Sequence, residues 1–128
     1  MTFVRLPKKR PKKARRTESL RCPGHLSFLR QHECSIAGRS SGKRQWGNAV
    51  VEYGHVCQGR IEAHHVTTRG AGGGDDTAVP LCSGAHADLH NIGIETFEKR
   101  YAVDLAQIAE GLARISPALK RYHLKQRA

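Results

Sequence analysis

Two histidines one helical turn apart, His86 and His90, constrain this 128-residue chain more than any other feature. Side chains at positions i and i+4 lie on one face of a helix, so both imidazoles can bind the same metal ion. The adjacent pair His64 and His65 comes earlier in the chain, and His64 can supply a third ligand. Because neighbouring residues of a strand point to opposite faces, His65 would lie away from that metal if residues 61–66 form a regular strand. It can then act as a base.

The residues between the two histidine pairs predict a strand, a loop, a second strand and a helix. Residues 67–76 are too rich in glycine and polar side chains for a helix or a buried strand. Residues 77–82 are apolar and predict a short strand, which Pro80 confines to an edge or a strand end. A helix would follow, with Ser83 as its N-cap. The sequence therefore predicts an α+β fold built on a small ββα unit, with histidines on its first strand and its helix.

These residues together resemble the HNH, or His-Me finger, endonuclease superfamily, particularly its colicin-type and phage recombination-enhancement nucleases. The likeness covers about residues 57–101 and rests on Glu62-Ala63-His64-His65, the Gly-Gly-Gly-Asp-Asp loop, Val-Pro-Leu-Cys and His-Ala-Asp-Leu-His. It implies a ββα-metal core in which His64, His86 and His90 hold one divalent metal ion and His65 activates the attacking water. Glu62 lies where colicin-type nucleases also have an acid, and would anchor a metal ligand.

The sequence departs from this family at Thr77, where an asparagine usually orients the catalytic histidine. Asp76 can take over that role, and the sequence alone leaves the choice open. The implied reaction is metal-dependent hydrolysis of DNA in phage or prophage recombination, repair or packaging. Imidazole ligands suit zinc or nickel, whereas magnesium and manganese prefer oxygen donors, so the identity of the divalent ion stays open among Mg, Mn, Zn and Ni.

The alternative is a non-catalytic nucleic-acid-binding module in which cysteines and some of the same histidines hold a structural zinc ion. Cys34, Cys57 and Cys82 are the candidates for such a site, and they can converge if the intervening segment loops out. The C-x-x-C spacing typical of structural zinc sites is absent, however, and small thiols filling gaps in a core explain these residues equally well. A toxin-like nuclease with an immunity partner is a further, weaker alternative.

The charge of the chain indicates a polyanionic partner. Lys and Arg number 22 against 11 Asp and Glu, a formal net charge of +11, and DNA, including single-stranded or branched DNA, is the expected partner. Residues 1–17 predict a disordered basic arm and residues 18–128 the endonuclease domain. The arm is either a phosphate-contacting segment or a solvated tail or targeting signal. The candidate nucleic-acid contacts are Lys8, Lys9, Arg10, Lys12, Lys13, Arg15, Arg16 and Arg69.

The remaining segments read as support for this core. Residues 24–32 and 92–101 predict helices, and Asp104 predicts the N-cap of a C-terminal helix over residues 104–116. The apolar stripe of that helix serves either the core or a dimer face, so both a monomer and a homodimer are open. Residues 120–127 predict a second basic tail. The stripe consists of Leu105, Ile108, Leu112 and Ile115.

Residues 38–55 predict a basic, glycine-bearing loop. Its Lys43, Arg44 and Trp46 either contact the substrate or belong to an ordinary solvated loop. No apolar run is long enough to cross a membrane, and the N-terminus lacks the apolar core of a signal peptide. We therefore expect a soluble cytoplasmic protein of a bacterial or phage-infected cell.

Overall fold

The computed structural model describes residues 20–68 and 72–127, and the predicted basic arm and Arg69 lie outside these residues. The described chain is α+β, as predicted, with two separate antiparallel sheets of two strands each. None of its helices is long and apolar enough to cross a membrane. The elements are α1 (Pro23–Arg30), β1 (Ser40–Trp46), β2 (Ala49–Gly54), β3 (Ile61–His65), a turn of 3-10 helix (Asp75–Thr77), β4 (Ala78–Cys82), α2 (Ser83–Ile92), α3 (Ile94–Tyr101), α4 (Leu105–Ile115) and α5 (Pro117–Arg127).

The sheet formed by β3 and β4 places the predicted histidines. Its register sets Ile61 opposite Cys82 and His65 opposite Ala78, and every residue of β4 is buried. Pro80 occupies the middle of β4, where its carbonyl accepts hydrogen bonds from the backbone N–H of Ser35 at 2.9 Å and the hydroxyl of Ser35 at 2.7 Å. A proline is tolerated here because a two-stranded sheet leaves each strand one edge outside the ladder. The predicted edge position is confirmed.

The hydrophobic core forms where β4 meets the helices α2, α3 and α4. Its fully buried side chains include Val79, Leu81, Phe97 and Leu105. The apolar stripe of α4 enters this core at Leu105, whereas Ile115 at its other end is 58 % exposed. The stripe is thus mainly core packing over its first turns.

The junction between β4 and α2 differs from the prediction, since Cys82 and not Ser83 is the N-cap. The Cys82 thiol accepts a hydrogen bond from the backbone N–H of Ala85 at 3.3 Å. The first two N–H groups of the helix donate to carbonyls of the segment just before β3, Ser83 to Arg60 at 3.0 Å and Gly84 to Gln58 at 3.1 Å. The first turn of the helix that carries two of the histidines is therefore fully hydrogen-bonded, as a buried helix start requires.

The later helix boundaries agree more closely with the sequence. Asp104 is the N-cap of α4, as predicted, and its carboxylate accepts from the N–H of Gln107 at 3.1 Å. The helix expected over residues 92–101 begins at Ile94, because Gly93 adopts a φ of 84° that ends α2. The basic segment 120–127, predicted as a tail, is helical and belongs to α5.

The prediction of a loop at residues 38–55 is wrong, because this segment forms the antiparallel hairpin of β1 and β2. All six residues of β2 are exposed, and β1 is exposed from Gly42 onward. A strand that is exposed on both faces lacks the apolar-polar alternation by which a strand is recognised in sequence. Gly47, with a φ of 59°, lies in the turn that joins the two strands.

One buried histidine lies outside the predicted site. His25 on α1 is fully buried, and its Nδ1 lies 2.8 Å from the hydroxyl oxygen of Ser116, between α4 and α5. Its Nε2 has no hydrogen-bond partner within the described part of the chain. Burial lowers the pKa of His25 below its ordinary value, although Asp76 and Asp75 act in the opposite direction. The folded protein therefore favours the neutral imidazole.

This buried imidazole should make stability depend on pH. Below a pH of about 6.5 the unfolded chain protonates His25 more readily than the folded chain, so stability falls as pH falls through this range. His25→Gln should lower stability at pH 7.5 and give a shallower pH dependence between pH 6.5 and 5, by up to about 1.4 kcal/mol per pH unit. Urea unfolding of both proteins across this range tests the prediction, and parallel stability curves would contradict it.

Candidate metal centres

The three histidines predicted as metal ligands converge between the end of β3 and α2. His86 Nε2 lies 3.1 Å from His64 Nδ1 and 3.0 Å from His90 Nε2. Nitrogens that bind one zinc ion tetrahedrally at 2.0–2.1 Å lie roughly 3.3 Å apart, so the cluster nearly has the required spacing. His64 is buried, His86 is half-buried and His90 is exposed, which leaves one side of the cluster open to solvent. These three residues form a group that could hold a metal ion.

Glu62 fixes the orientation of the central imidazole. Its Oε2 accepts a hydrogen bond from His86 Nδ1 at 2.8 Å, and its Oε1 accepts one from the Ser83 hydroxyl at 2.7 Å. Since an ionised carboxylate only accepts hydrogen bonds, Nδ1 of His86 carries the proton and Nε2 presents its lone pair to the cluster. Hydrogen bonds from Ser83 and His86 hold the pKa of Glu62 below its ordinary value. A carboxylate behind a ligating histidine is a common arrangement in metal sites.

The electrostatics of the cluster favour a neutral imidazole at His64. Burial, followed by the proximity of His86 and His90, lowers the pKa of His64 to about 4. Neutral imidazole is the form that binds metal ions.

The side chain of His65 has a different hydrogen-bond partner from that of the neighbouring His64. Its Nε2 lies 2.9 Å from Oδ1 of Asp75, a carboxylate that is only 3 % exposed. The second oxygen of Asp75 accepts the backbone N–H of Cys22 at 2.7 Å. Because the carboxylate accepts, His65 donates from Nε2, and in the corresponding neutral tautomer Nδ1 is the acceptor nitrogen. This is the orientation that a general base needs.

Asp75 was not predicted, since the sequence indicated Asp76 or Thr77 as the residue that orients His65. Thr77 donates its hydroxyl proton to the carbonyl of Gly74 at 2.8 Å and so closes the turn that presents Asp75. Asp76 and Thr77 line a groove against α4. A glycine-rich loop gives no sequence signal for a buried carboxylate. Gly73 is needed here, because a Cβ would lie 1.8 Å from the carbonyl oxygen of Thr67.

A second cluster joins the base of the hairpin to the β4–α2 junction. It contains the three predicted cysteines, Cys34, Cys57 and Cys82, together with His55, and their ligand atoms all lie within 4.8 Å of one another. His55 Nε2 is 3.2 Å from the sulfur of Cys82 and 4.0 Å from that of Cys34. These four residues form a group that could hold a metal ion. Cys22 is buried elsewhere, so four cysteines do not make the site.

The thiols of this second cluster shift one another's pKa in both directions. Burial, with contributions from Cys34 and Cys82, raises the pKa of Cys57 to about 12, and burial also raises the pKa of Cys34. Burial acts to raise the pKa of Cys82 too, but backbone hydrogen bonds with Ala85 and Gln58 and contacts with the other two thiols outweigh it and lower that pKa. A bound cation would relieve the repulsion among thiolates.

The sequence predicted Cys34, Cys57 and Cys82 as possible ligands but not His55, because a histidine outside a recognised metal-binding spacing carries no signal of its own. The signal in the sequence is His55-Val-Cys57, in which a histidine replaces the first cysteine of a pair and stands one residue closer. The ring of His55 packs edge-on against Tyr101, with centroids 5.9 Å apart, and this contact directs it toward the sulfurs.

No protein-family model, curated protein or solved structure matches this chain.

Cys82→Ser should separate the metal-binding role of Cys82 from its capping role, because serine is a good N-cap but does not supply a thiolate. We expect the parent protein to bind two zinc ions per chain and this variant to bind one. Loss of the cluster should lower the melting temperature by at least about 10 °C. Mass spectrometry of the metal content and thermal unfolding measure both effects. Cys22→Ser, at a buried cysteine outside the cluster, is the control, and equal metal content in all three proteins would contradict the assignment.

Glu62→Gln should weaken metal binding at the histidine cluster by about 10- to 100-fold, because an uncharged amide holds the proton of His86 Nδ1 less firmly. The measurement is a calorimetric titration of zinc or nickel into protein whose cysteine cluster is already loaded. Glu52→Gln, an equal charge change on the exposed hairpin, should leave the affinity unchanged. Equal affinities for Glu62→Gln and the parent would show that the carboxylate does not support the site.

Proposed function

We propose that the protein is a metal-dependent endonuclease of the HNH type that hydrolyses phosphodiester bonds in DNA. The proposal rests on the different surroundings of two adjacent residues, His64 and His65. His64 joins the cluster of three imidazoles, whereas His65 donates to the buried carboxylate of Asp75. Strand alternation separates them, so one strand supplies both a metal ligand and a base.

The donor sets of the two clusters suit different purposes. Three protein ligands and an open side are typical of catalytic metal sites, whereas four thiolate and imidazole ligands are typical of structural zinc sites. We therefore assign the histidine cluster to catalysis and the cluster of Cys34, His55, Cys57 and Cys82 to a structural zinc ion. A divalent ion on the histidines would stabilise the negative charge that develops on the phosphate and the leaving oxygen.

Side chains of the protein would carry out the proton transfer and hold the reacting groups in position. His65 would take a proton from water at Nδ1 while Asp75 holds its Nε2 proton and stabilises the imidazolium that results. Asp75 is well placed for this because its second oxygen is fixed by the backbone N–H of Cys22. Glu62 would keep His86 in its ligating tautomer through the Nδ1 proton.

The charge of the chain supports DNA as the substrate. The net charge of +11 favours a polyanion, and the predicted basic arm supplies eight of the cations. The described chain starts beside the proposed base, since the carbonyl of Leu20 accepts the backbone N–H of Asp75 at 2.9 Å. A phosphate-contacting arm attached at this point would bring DNA toward His65.

A second candidate is a zinc-stabilised module that binds nucleic acid without cutting it. The four-residue cysteine and histidine cluster favours it, because such a site contributes to folding and leaves no position for a substrate. It gives no role to the hydrogen bond between His65 and Asp75. Dependence of DNA cleavage on metal ions distinguishes the two candidates.

His65→Ala should reduce cleavage of supercoiled plasmid by about 10²- to 10⁴-fold, the usual contribution of a general base, with metal content and DNA affinity unchanged. The assay follows conversion to open-circular and linear DNA after EDTA treatment and addition of Mg²⁺, Mn²⁺, Zn²⁺ or Ni²⁺. His123→Ala, which removes an exposed imidazole from α5, is the matched control. Equal cutting by His65→Ala and the parent would exclude His65 as the base. Plasmid binding without cleavage by any of the proteins would favour the binding module.

A further inference from the structure

The hairpin of β1 and β2 projects from a base that is fixed at several points. At that base the N–H of His55 donates to the carbonyl of Arg39 at 2.9 Å, and the Arg39 guanidinium donates to the carbonyl of Ala102 at 2.9 Å. In the sequence the hairpin lies between Cys34 and the pair His55 and Cys57. The cysteine cluster therefore holds the two ends of the hairpin together. Its strands are exposed beyond this base. The hairpin is therefore well anchored, although it buries little surface of its own.

One face of the hairpin combines a cation with aromatic rings. The register pairs Gly42 with Tyr53, Arg44 with Val51 and Trp46 with Ala49, so these side chains share a face. The Trp46 indole N–H donates to the Tyr53 hydroxyl at 3.2 Å, and the Arg44 guanidinium lies 5.9 Å from the centre of the Tyr53 ring. We call this surface the Arg44 face; it consists of Arg44, Trp46, Val51 and Tyr53.

The opposite face has a different character. It sets Lys43 opposite Glu52 and Gln45 opposite Val50, so its cation has a carboxylate as its cross-strand neighbour. Arg44 has Val51 in the corresponding position. The Arg44 face thus carries the excess positive charge of the hairpin.

We infer that the Arg44 face binds unpaired DNA, with Trp46 stacked on a base and Arg44 on the phosphate backbone. This inference rests on the proposed nuclease function and specifies the form of DNA that the protein recognises. Trp46 is 63 % exposed, and its one polar hydrogen is already donated to Tyr53, so what it offers a partner is mainly the apolar ring. A flat ring beside a guanidinium matches the base and phosphate of a single strand.

The positive charge of the chain favours DNA over a protein as the partner of the Arg44 face. An exposed apolar patch on an otherwise neutral surface would suit a protein partner. Here the patch includes Arg44 and belongs to a chain with a net charge of +11, which would attract a polyanion. Bases within a duplex are stacked on one another and offer no face to Trp46, whereas a single strand or a branch point does.

The sequence contains one tryptophan, so the fluorescence of Trp46 reports directly on this surface. The test uses the His65→Ala protein, loaded with metal, which we expect to bind DNA without cutting it. Adding a thymidine oligonucleotide should quench the fluorescence, and adding a duplex of the same length should quench it much less. Trp46→Ala in the same background should weaken binding of a labelled oligonucleotide by about five- to 150-fold, measured by fluorescence anisotropy.

Arg44→Ala and Lys43→Ala form a matched pair, because both remove one positive charge from the same strand but from opposite faces. Arg44→Ala should weaken binding of the oligonucleotide severalfold more than Lys43→Ala. Equal losses for the two variants, or no quenching of Trp46, would overturn the inference. So would dimerisation of the parent protein that Trp46→Ala abolishes without any change in DNA affinity, which would assign the face to a second copy of the chain.

These results are independent of the test of catalysis. Binding by the His65→Ala protein is measured whether or not the parent protein cuts DNA, so failure of the nuclease proposal leaves the binding result standing. Conversely, unchanged affinity in the Trp46 and Arg44 variants would refute the role of the hairpin while plasmid cleavage by the parent protein still supported the nuclease.

Discussion

Much of the structure depends on the position of Cys82, which belongs to three arrangements at once. As the last residue of β4 it pairs with Ile61, and as the N-cap of α2 its sulfur accepts the N–H of Ala85. The same sulfur lies 3.2 Å from His55 at the base of the hairpin. The direction of α2, and hence the positions of His86 and His90 relative to β3, follows from how the chain turns at this residue. A metal ion at the cysteine cluster would therefore stabilise the histidine cluster indirectly, by fixing the start of the helix that carries it.

The two clusters differ in how much the rest of the fold depends on them. The cysteine cluster connects segments that are distant in sequence, from Cys34 to Cys82, and the hairpin between its ligands buries little apolar surface. Such a segment needs a cross-link, because a two-stranded hairpin is only marginally stable alone in water. The histidine cluster lies on elements that the core already holds, since β4 is buried throughout and Leu89 of α2 is buried in the core. Its ligands can therefore be substituted with less risk to the fold.

The sequence predicted the secondary structure correctly where a single local pattern, such as a residue spacing or a helix cap, determines it. The i and i+4 spacing of His86 and His90 and the cap at Asp104 each follow from local geometry, and so the helices that contain them were predicted correctly. Asp75 could not be predicted in this way. Its burial depends on its contacts with Cys22 and Leu20, which lie far away in sequence, and a glycine-rich loop gives no indication of such contacts. The hairpin was not predicted because both faces of its strands are exposed. Its sequence therefore lacks the alternation of apolar and polar residues that indicates a strand.

Asp75 also connects the proposed base to the segment that enters α1. Its carboxylate binds both the ring of His65 and the backbone of Cys22, and its own N–H donates to the carbonyl of Leu20. A carboxylate buried to this extent keeps its charge only if hydrogen bonds replace its hydration, and the backbone N–H of Cys22 supplies one of them. The orientation of His65 therefore depends on the main chain at residues 20–22 as well as on the loop that carries Asp75. Any change in the main chain at Leu20 or Cys22 would therefore act directly on the carboxylate that orients the proposed base.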